Sequence, residues 1–370
     1  MALSLETVQR VLDTVQEPEL SRSLSAAGMV RDITVDGAAV SLTIDLTTPA
    51  CPYKARIESD VRAALATAGA ASVELKWGVL MTARNILSDD PCPGVKNIVL
   101  VMSGKGGVGK STVAANLAIA LTRWGAKVGL LDADMYGPSV PTMFGVMGRP
   151  TSADGQKFLP LERFGVKLMS IGFLLEDPKS AVVWRGPMIQ GALLQFLKDV
   201  DWGPLDYLVL DLPPGTGDII LTISQKVRST GAIVVTTPQE VALQDVYKSV
   251  SMAQKVGIPI LGVVENESYF LCDGCHKRHE IFGTGGGAKV AELAEAPLLG
   301  QIPLEPGVRE WGDAGTPVTQ AAPESAVARA FNEIALRLAG RVSARNVETG
   351  GVGLKIDRSG GKNRHLPVAR

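Results

Sequence analysis

Asn97-Ile98-Val99-Leu100-Val101-Met102-Ser103-Gly104-Lys105-Gly106-Gly107-Val108-Gly109-Lys110-Ser111-Thr112 is the stretch whose reading decides the fold. The apolar run 97–102 reads as a buried strand, and 110–123 reads as a helix. Between them, residues 104–111 match G-x-x-x-x-G-K-[ST] in full, in the strand-to-helix context that the motif needs. Gly104, Gly106, Gly107 and Gly109 let backbone N–H groups, Val108's among them, curl around an anion. The helix start at Lys110-Ser111-Thr112 adds its partial positive charge. Lys110 is placed to reach the β- and γ-phosphates and Ser111 to ligate Mg²⁺. The loop therefore predicts a nucleoside triphosphate site, expected to take ATP.

Outward from this loop the chain alternates. Strand-like runs at 97–102, 127–131, 166–171, 206–210, 232–236 and 260–264 are separated by helical stretches at 110–123, 187–198, 218–228 and 239–256. Short continuous apolar strands between helices predict an α/β P-loop NTPase domain, a mostly parallel sheet with helices on both faces. This domain is expected over 97–342, with a final helix at about 323–339 and a disordered tail over 343–370. Ahead of it, residues 1–85 read as a small α+β domain: a helix marked by Leu5, Val8, Val11, Leu12 and Val15, a hairpin around Asp36-Gly37, a helix at about 53–68 and a strand near 72–77. Residues 86–96 lose periodicity and read as a linker.

Composition excludes several classes. Hydrophobic residues make up 46% and charged residues 20%, ordinary for a globular chain with a large core. A net charge of −1 and 5% aromatics give no electrostatic or stacking case for nucleic acid or an anionic membrane. No apolar run is long enough to span a bilayer, and the N-terminus reads as an amphipathic helix and not as a secretion signal, so the cytoplasm is expected.

Lys105 is not needed by an ordinary phosphate loop. It reads either as a solvated charge or as the early lysine of the deviant loop K-G-G-x-G-K-[ST], which resembles the MinD/ParA/NifH class of ATPases. That resemblance implies an ATP-bridged homodimer in which Lys105 reaches the partner's nucleotide and joins Lys110 in catalysis. Asp132 and Asp134 close strand 127–131, and Asp211 closes strand 206–210. An Asp at a strand end is often only a helix cap. Behind a complete phosphate loop, Asp134 is expected to orient the attacking water, Asp132 to lie near Mg²⁺, and Asp211 to hold Mg²⁺. Asn266, after strand 260–264, resembles the adenine-reading Asn of the class.

Cys272-Asp273-Gly274-Cys275 is half of a metal site, since zinc and iron–sulfur clusters usually take four ligands. Two chains would supply four thiolates, most simply to a [4Fe–4S] cluster. Zinc held with His276 or His279, a redox pair and two inert cysteines remain open at this level.

Taken together, Ser103–Thr112, Asp132-Ala133-Asp134-Met135-Tyr136-Gly137-Pro138-Ser139, Trp184–Met188, Asp211–Asp218, Thr237-Pro238-Gln239, the Glu265-Asn266 to Cys272/Cys275 loop and Ile302-Pro303-Leu304 resemble the Mrp (ApbC) family of iron–sulfur cluster carrier ATPases. The resemblance covers most of residues 95–320. It implies ATP hydrolysis, a cluster carried at a dimer interface by Cys272 and Cys275, and iron–sulfur scaffold and recipient apoproteins as partners. Glu17-Pro18-Glu19-Leu20 and Thr48-Pro49-Ala50-Cys51-Pro52 resemble the small iron–sulfur assembly domain that prefaces many bacterial members, with Cys51 either a transient ligand or a buried or capping residue. Cys92 is expected to be incidental. Two positions depart from the family pattern: Glu267 where Met is frequent, and His276 where Gly commonly follows the second cysteine. A ParA/MinD-like positioning switch without a cluster is the competing expectation.

Overall fold

The computed structural model describes residues 3–18, 20, 22–49, 51–152, 155–175, 186–215, 217–272 and 274–350. Trp184, Arg185, Thr216, Asp273 and the tail from residue 351, all singled out above, lie outside the described residues.

In the N-terminal unit, α1 (Leu5–Leu12) starts at Ser4, whose hydroxyl accepts from the Thr7 N–H at 3.2 Å. Strands β1 (Val30–Asp36) and β2 (Ala39–Leu46) form an antiparallel hairpin that turns at Gly37, φ +59°. Helix α2 (Lys54–Thr67) leads to β3 (Ser72–Val79), which pairs parallel with β2. Ile57, Val61 and Leu65, four residues apart, bury one face of α2 against Leu42 and Ile44 of β2 and against Val8 and Leu12 of α1.

The larger unit opens with β4 (Val95–Ser103), α3 (Lys110–Arg123), β5 (Val128–Asp132), α4 (Val140–Phe144), β6 (Leu161–Arg163), β7 (Val166–Ser170) and α5 (Gly186–Asp199). It continues with β8 (Leu205–Asp211), α6 (Gly217–Lys226), β9 (Gly231–Thr236), α7 (Glu240–Lys255) and β10 (Ile260–Glu265). A short hairpin, β11 (Phe270–Leu271) and β12 (Arg278–His279), precedes α8 (Gly286–Leu293), β13 (Leu298–Gln301), α9 (Pro306–Asp313), α10 (Val318–Ala321) and α11 (Ala326–Glu348). Eight strands form one sheet in the order β13-β10-β9-β4-β8-β5-β7-β6, all parallel to their neighbours except β6. Within β4, Val99 and Val101 join the core under α3 and α11, while Ile98, Leu100 and Met102 join the core under α5, α6 and α7. That period-two division, with both faces buried, is why the strand reads as an unbroken apolar run.

Several elements went unread in the sequence, among them α8, β13 and α9. Helix α8 begins at Gly286-Gly287, after Gly285 as its N-cap, with glycine's low helix propensity at its start. Gly286 and Gly287 serve close packing: a Cβ on Gly286 would lie 2.9 Å from Pro238 and one on Gly287 2.8 Å from Glu265. Edge strand β13 and helix α9 are short and half-exposed, so they carry little hydrophobic signal.

The C-terminal helix runs on to Glu348, so residues 343–348, expected to begin a disordered tail, are helical. Their anchor is polar and buried. Asn346 donates to Thr82 Oγ1 at 3.0 Å and to Asn97 Oδ1 at 2.8 Å, and Asn97 donates to the Thr82 carbonyl at 3.0 Å. Ser343 Oγ donates to the Thr47 carbonyl at 3.5 Å. The last helix, the end of the small unit and the start of β4 are thereby tied together, with every group in the knot paired.

The stretch expected as a linker, 86–96, is also fixed: Val95 and Lys96 already belong to β4, and Arg84 forks onto Asp90 with Nη2 to Oδ1 at 2.9 Å. The side chains of Arg84 and Asp90 are 2% and 1% exposed. Burial alone would push Asp90 up, but the hydrogen bond and charge of Arg84 outweigh it and hold the carboxyl below its ordinary 3.8. Cys92 sits in this turn, and burial raises its thiol to about 12, so it is an inert packing residue.

Because the folded pKa of Asp90 is depressed, its stabilising contribution is present above about pH 4 and is lost as pH falls through the folded value. Arg84→Met leaves Asp90 buried and unpaired. It should cost about 3–5 kcal/mol by urea denaturation at pH 7, and the deficit against the unaltered protein should shrink as falling pH protonates the unpaired Asp90. A loss under about 1 kcal/mol would show that the pair is solvated.

Candidate functional site

Five strands deliver their carboxyl ends to one edge. Asp211 of β8 lies opposite both Asp132 of β5 and Val101 of β4, Ser103 of β4 lies opposite Val235 of β9, and Glu265 of β10 opposite Thr236 of β9. In open parallel sheets this edge is where ligands bind. The phosphate loop, 104–111, fills it. Gly107 and Gly109 take φ of +84° and +79°, which L side chains avoid. Gly104 presses on α7, where a Cβ would overlap the backbone nitrogen of Val246. Lys105 is exposed and forms no ion pair with a described residue.

Lys110, 6% exposed, donates to Asp211 Oδ1 and lies 3.3 Å from Ser111 Oγ. Burial pushes the Asp211 carboxyl up, and the charge of Lys110 offsets only part of this. The second oxygen, Asp211 Oδ2, is buried without a hydrogen-bond partner among the described residues. An unpartnered buried carboxylate oxygen beside a helix-start serine is a donor set suited to a hard cation such as Mg²⁺.

Asp132 is also fully buried, but its oxygens are occupied. Oδ1 accepts from the Asp134 N–H at 3.2 Å; Oδ2 accepts from Ser139 N at 3.0 Å, Val140 N at 3.1 Å and Ser170 Oγ at 3.1 Å. Burial first, and the neighbouring Asp211 charge second, push its pKa up. The sequence expectation placed Asp132 near Mg²⁺. The structure gives it the work of holding the turn from β5 into α4. Asp134 stands half-buried on that turn, with Oδ1 accepting from Tyr136 N at 3.3 Å and Gly137 N at 3.2 Å.

On the other side of the loop, Asn266 Nδ2 donates to the Val108 carbonyl at 3.0 Å and closes against Gly109. One amide N–H of Asn266, the residue expected to read the base, is thus engaged with the phosphate loop. Beneath it, Glu265 is fully buried and accepts from Ser268 Oγ at 2.5 Å, from Gln301 Nε2 at 2.8 Å and from Gly287 N. One carboxylate thereby joins β10, β13, α8 and the loop toward the cysteines. A cavity of about 420 Å³ opens between Gly109, Thr112 and Asn266 and the 302–313 segment, including Pro303, Val308 and Arg309. The sequence reading did not assign Glu267, Met143, Val308 or Arg309 to a site; their joint signal is the cavity, which only the fold creates.

Cys272 and Cys275 sit at the tip of the β11–β12 hairpin. The hairpin has two bridged pairs, Phe270 with His279 and Leu271 with Arg278, and the tip closes by His276 N donating to the Cys272 carbonyl at 2.8 Å. His276 adopts φ +55°. Residues 274–280 are exposed, and none of the four cysteines forms a disulfide. Among the described residues no three His, Cys, Asp or Glu side chains converge as a metal site. Cys51 is half-buried and packed against the small unit's core.

Gly104→Ala forces α7 away from the loop. It should weaken binding of a fluorescent ATP analogue by about ten-fold or more, the effect of one lost charged hydrogen bond; unchanged affinity would mean that the loop tolerates the shift.

The profile of the NUBPL iron-transfer P-loop NTPase family matches residues 94–339, and that of an iron–sulfur cluster assembly protein family matches residues 5–77. An iron–sulfur cluster carrier protein of Synechocystis sp. is 48% identical over 92% of this chain and 98% of its own length. One of Deinococcus radiodurans is 48% identical over 92% and 97%, and one of Escherichia coli is 50% identical over 71% of each chain. A nucleotide-binding protein of Archaeoglobus fulgidus, solved in complex with ADP, superposes with a TM-score of 0.53 at 41% identity over 60% of this chain and 87% of that one. No described helix is long and apolar enough to cross a membrane. With its phosphate loop, its strand-end carboxylates and relatives matched along nearly the whole length, the chain belongs to the NUBPL-type iron-transfer P-loop NTPases.

Proposed function

We propose that this protein is an ATP-dependent iron–sulfur cluster carrier. It hydrolyses ATP to ADP and phosphate and carries a cluster as cargo on Cys272 and Cys275. The observation that supports the coupling of the two is the Asn266–Val108 hydrogen bond at 3.0 Å. It ties the phosphate loop to a segment that reaches Cys272 six residues later. A change in the loop on binding phosphate is thereby transmitted to the base of the cysteine hairpin.

In this reading the loop N–H groups and Lys110 take the phosphates, Lys110 exchanging Asp211 for phosphate oxygens. Ser111 and Asp211, with its unpartnered oxygen, hold Mg²⁺, which when bound neutralises charge on the phosphates. Asp134 orients the attacking water. Catalysis is electrostatic stabilisation of the phosphoryl group. Lys105, exposed and without an ion pair to a described residue, serves the nucleotide of a second protomer in a homodimer. The cysteine tips of the two protomers supply four thiolates, the complement of a [4Fe–4S] cluster, which passes between scaffold and recipient apoproteins in the cytoplasm. The exposure of the tip and the lack of a converging third ligand among the described residues support a site shared between chains.

Two measurements test the reading. Anaerobic reconstitution with iron and sulfide should give broad absorbance near ~400 nm in the wild type and none in Cys272→Ala or Cys275→Ala, while both variants keep ATP binding. Full iron and sulfide in both variants would move the cargo elsewhere, and colourless wild type with one zinc per chain would replace it. Lys105→Ala should bind ATP but hydrolyse it at least about ten-fold more slowly, and should lose ATP-dependent dimerisation by light scattering; unaltered turnover would reduce Lys105 to a solvated charge.

A further inference from the structure

The cavity beside α3 contains a group that the phosphate chemistry leaves unused. Glu267 lines it together with Gly109, Thr112, Asn266 and Pro303, so the cavity continues directly from the phosphate loop. Glu267 takes φ +52°, a conformation that non-glycine residues keep only where the surroundings impose it. Its side chain is half-buried, and no hydrogen bond or ion pair joins it to a described residue. The neighbouring acids are engaged: Asp313 accepts from Arg309 at 3.0 Å, and Glu305 has a partner of its own. Asn266, the other polar group on the segment, has its N–H committed to Val108. Glu267 is therefore a carboxylate with no hydrogen bond or ion pair to a described residue, carried on strained backbone at the cavity beside the Asn266 amide oxygen. Burial also pushes the Glu267 pKa up, as expected of a carboxylate held partly out of water without a donor.

At about 420 Å³ the space takes a purine and its sugar once the phosphates occupy the loop. Adenine presents a 6-amino group, a donor. Guanine presents a carbonyl at that position, which a carboxylate repels. Resting on the ATP reading above, we infer that Glu267 is a base-specificity residue that accepts a hydrogen bond from the adenine 6-amino group.

The test compares ATP, GTP and purine riboside triphosphate, which lacks the 6-amino group, on wild type, Glu267→Met and Glu267→Gln, by Kd and by KM against kcat. Wild type should bind ATP about ten-fold or more tighter than the deaminated analogue. Glu267→Met should bring that ratio close to one, with affinity for the analogue unchanged. Glu267→Gln should keep part of the preference, because its amide oxygen still accepts. An ATP-to-analogue ratio as large in Glu267→Met as in wild type overturns the assignment. So does an equal fall in affinity for both nucleotides, which marks a structural role, and so does a wild-type preference for GTP. Wild type that binds none of these nucleotides overturns the ATP reading itself, a different outcome from any of these.

Discussion

A lysine and an aspartate paired in a place nearly closed to water set the geometry of this molecule. Lys110 comes from the phosphate loop and Asp211 from the end of β8. They meet because β8 lies between β4 and β5 in the sheet, so that the strand carrying the carboxylate is hydrogen-bonded to the strand feeding the loop. Neither charge is tolerable there alone. The pairing therefore demands the strand order, and the strand order brings Asp132, Thr236 and Glu265 to the same edge. Asp211 also retains a buried oxygen without a partner among the described residues, so the pair does not use up its acceptor capacity.

Around that pair the carboxylates divide by what occupies their oxygens. Asp132 and Glu265 are each filled with donors from the protein and act as fasteners. Asp211 keeps a buried oxygen without a partner among the described residues, and Glu267 lines the cavity beside the phosphate loop. Sequence position does not distinguish the two kinds, since all four stand at or just beyond strand ends. Only the count of donors around each one does.

The fold class was legible because its signal is local: an apolar strand, four glycines and Lys-Ser at fixed spacing, repeated apolar runs and helices. The loop residues 104–112 and Asp211 were legible for the same reason. What escaped depends on contacts across the chain. Gly286 and Gly287, which open α8, gave no helix signal because their purpose, close approach to Pro238 and Glu265, lies in other segments. The end of α11 read as tail because Ser343 and Asn346 look polar until Thr47, Thr82 and Asn97 are seen opposite them. The buried Arg84–Asp90 pair was hidden in a stretch whose prolines and glycine suggested only a connector. The fastening role of Asp132 was not legible because a carboxylate at a strand end looks the same whether water, metal or four protein donors surround it.

The cysteine hairpin differs from everything beneath it. Two bridged pairs and a closing turn hold it, and such a ribbon has little stability of its own. Its root, by contrast, is fastened through Ser268 to Glu265 and through the Tyr269 carbonyl to Leu304. The tip can thus change shape without disturbing any contact on which the sheet relies. On the proposed reading, a cargo held there would add its own order to the ribbon and remove it on leaving, so that loading and unloading would be local folding events, separate in energy from the stability of the frame that carries them.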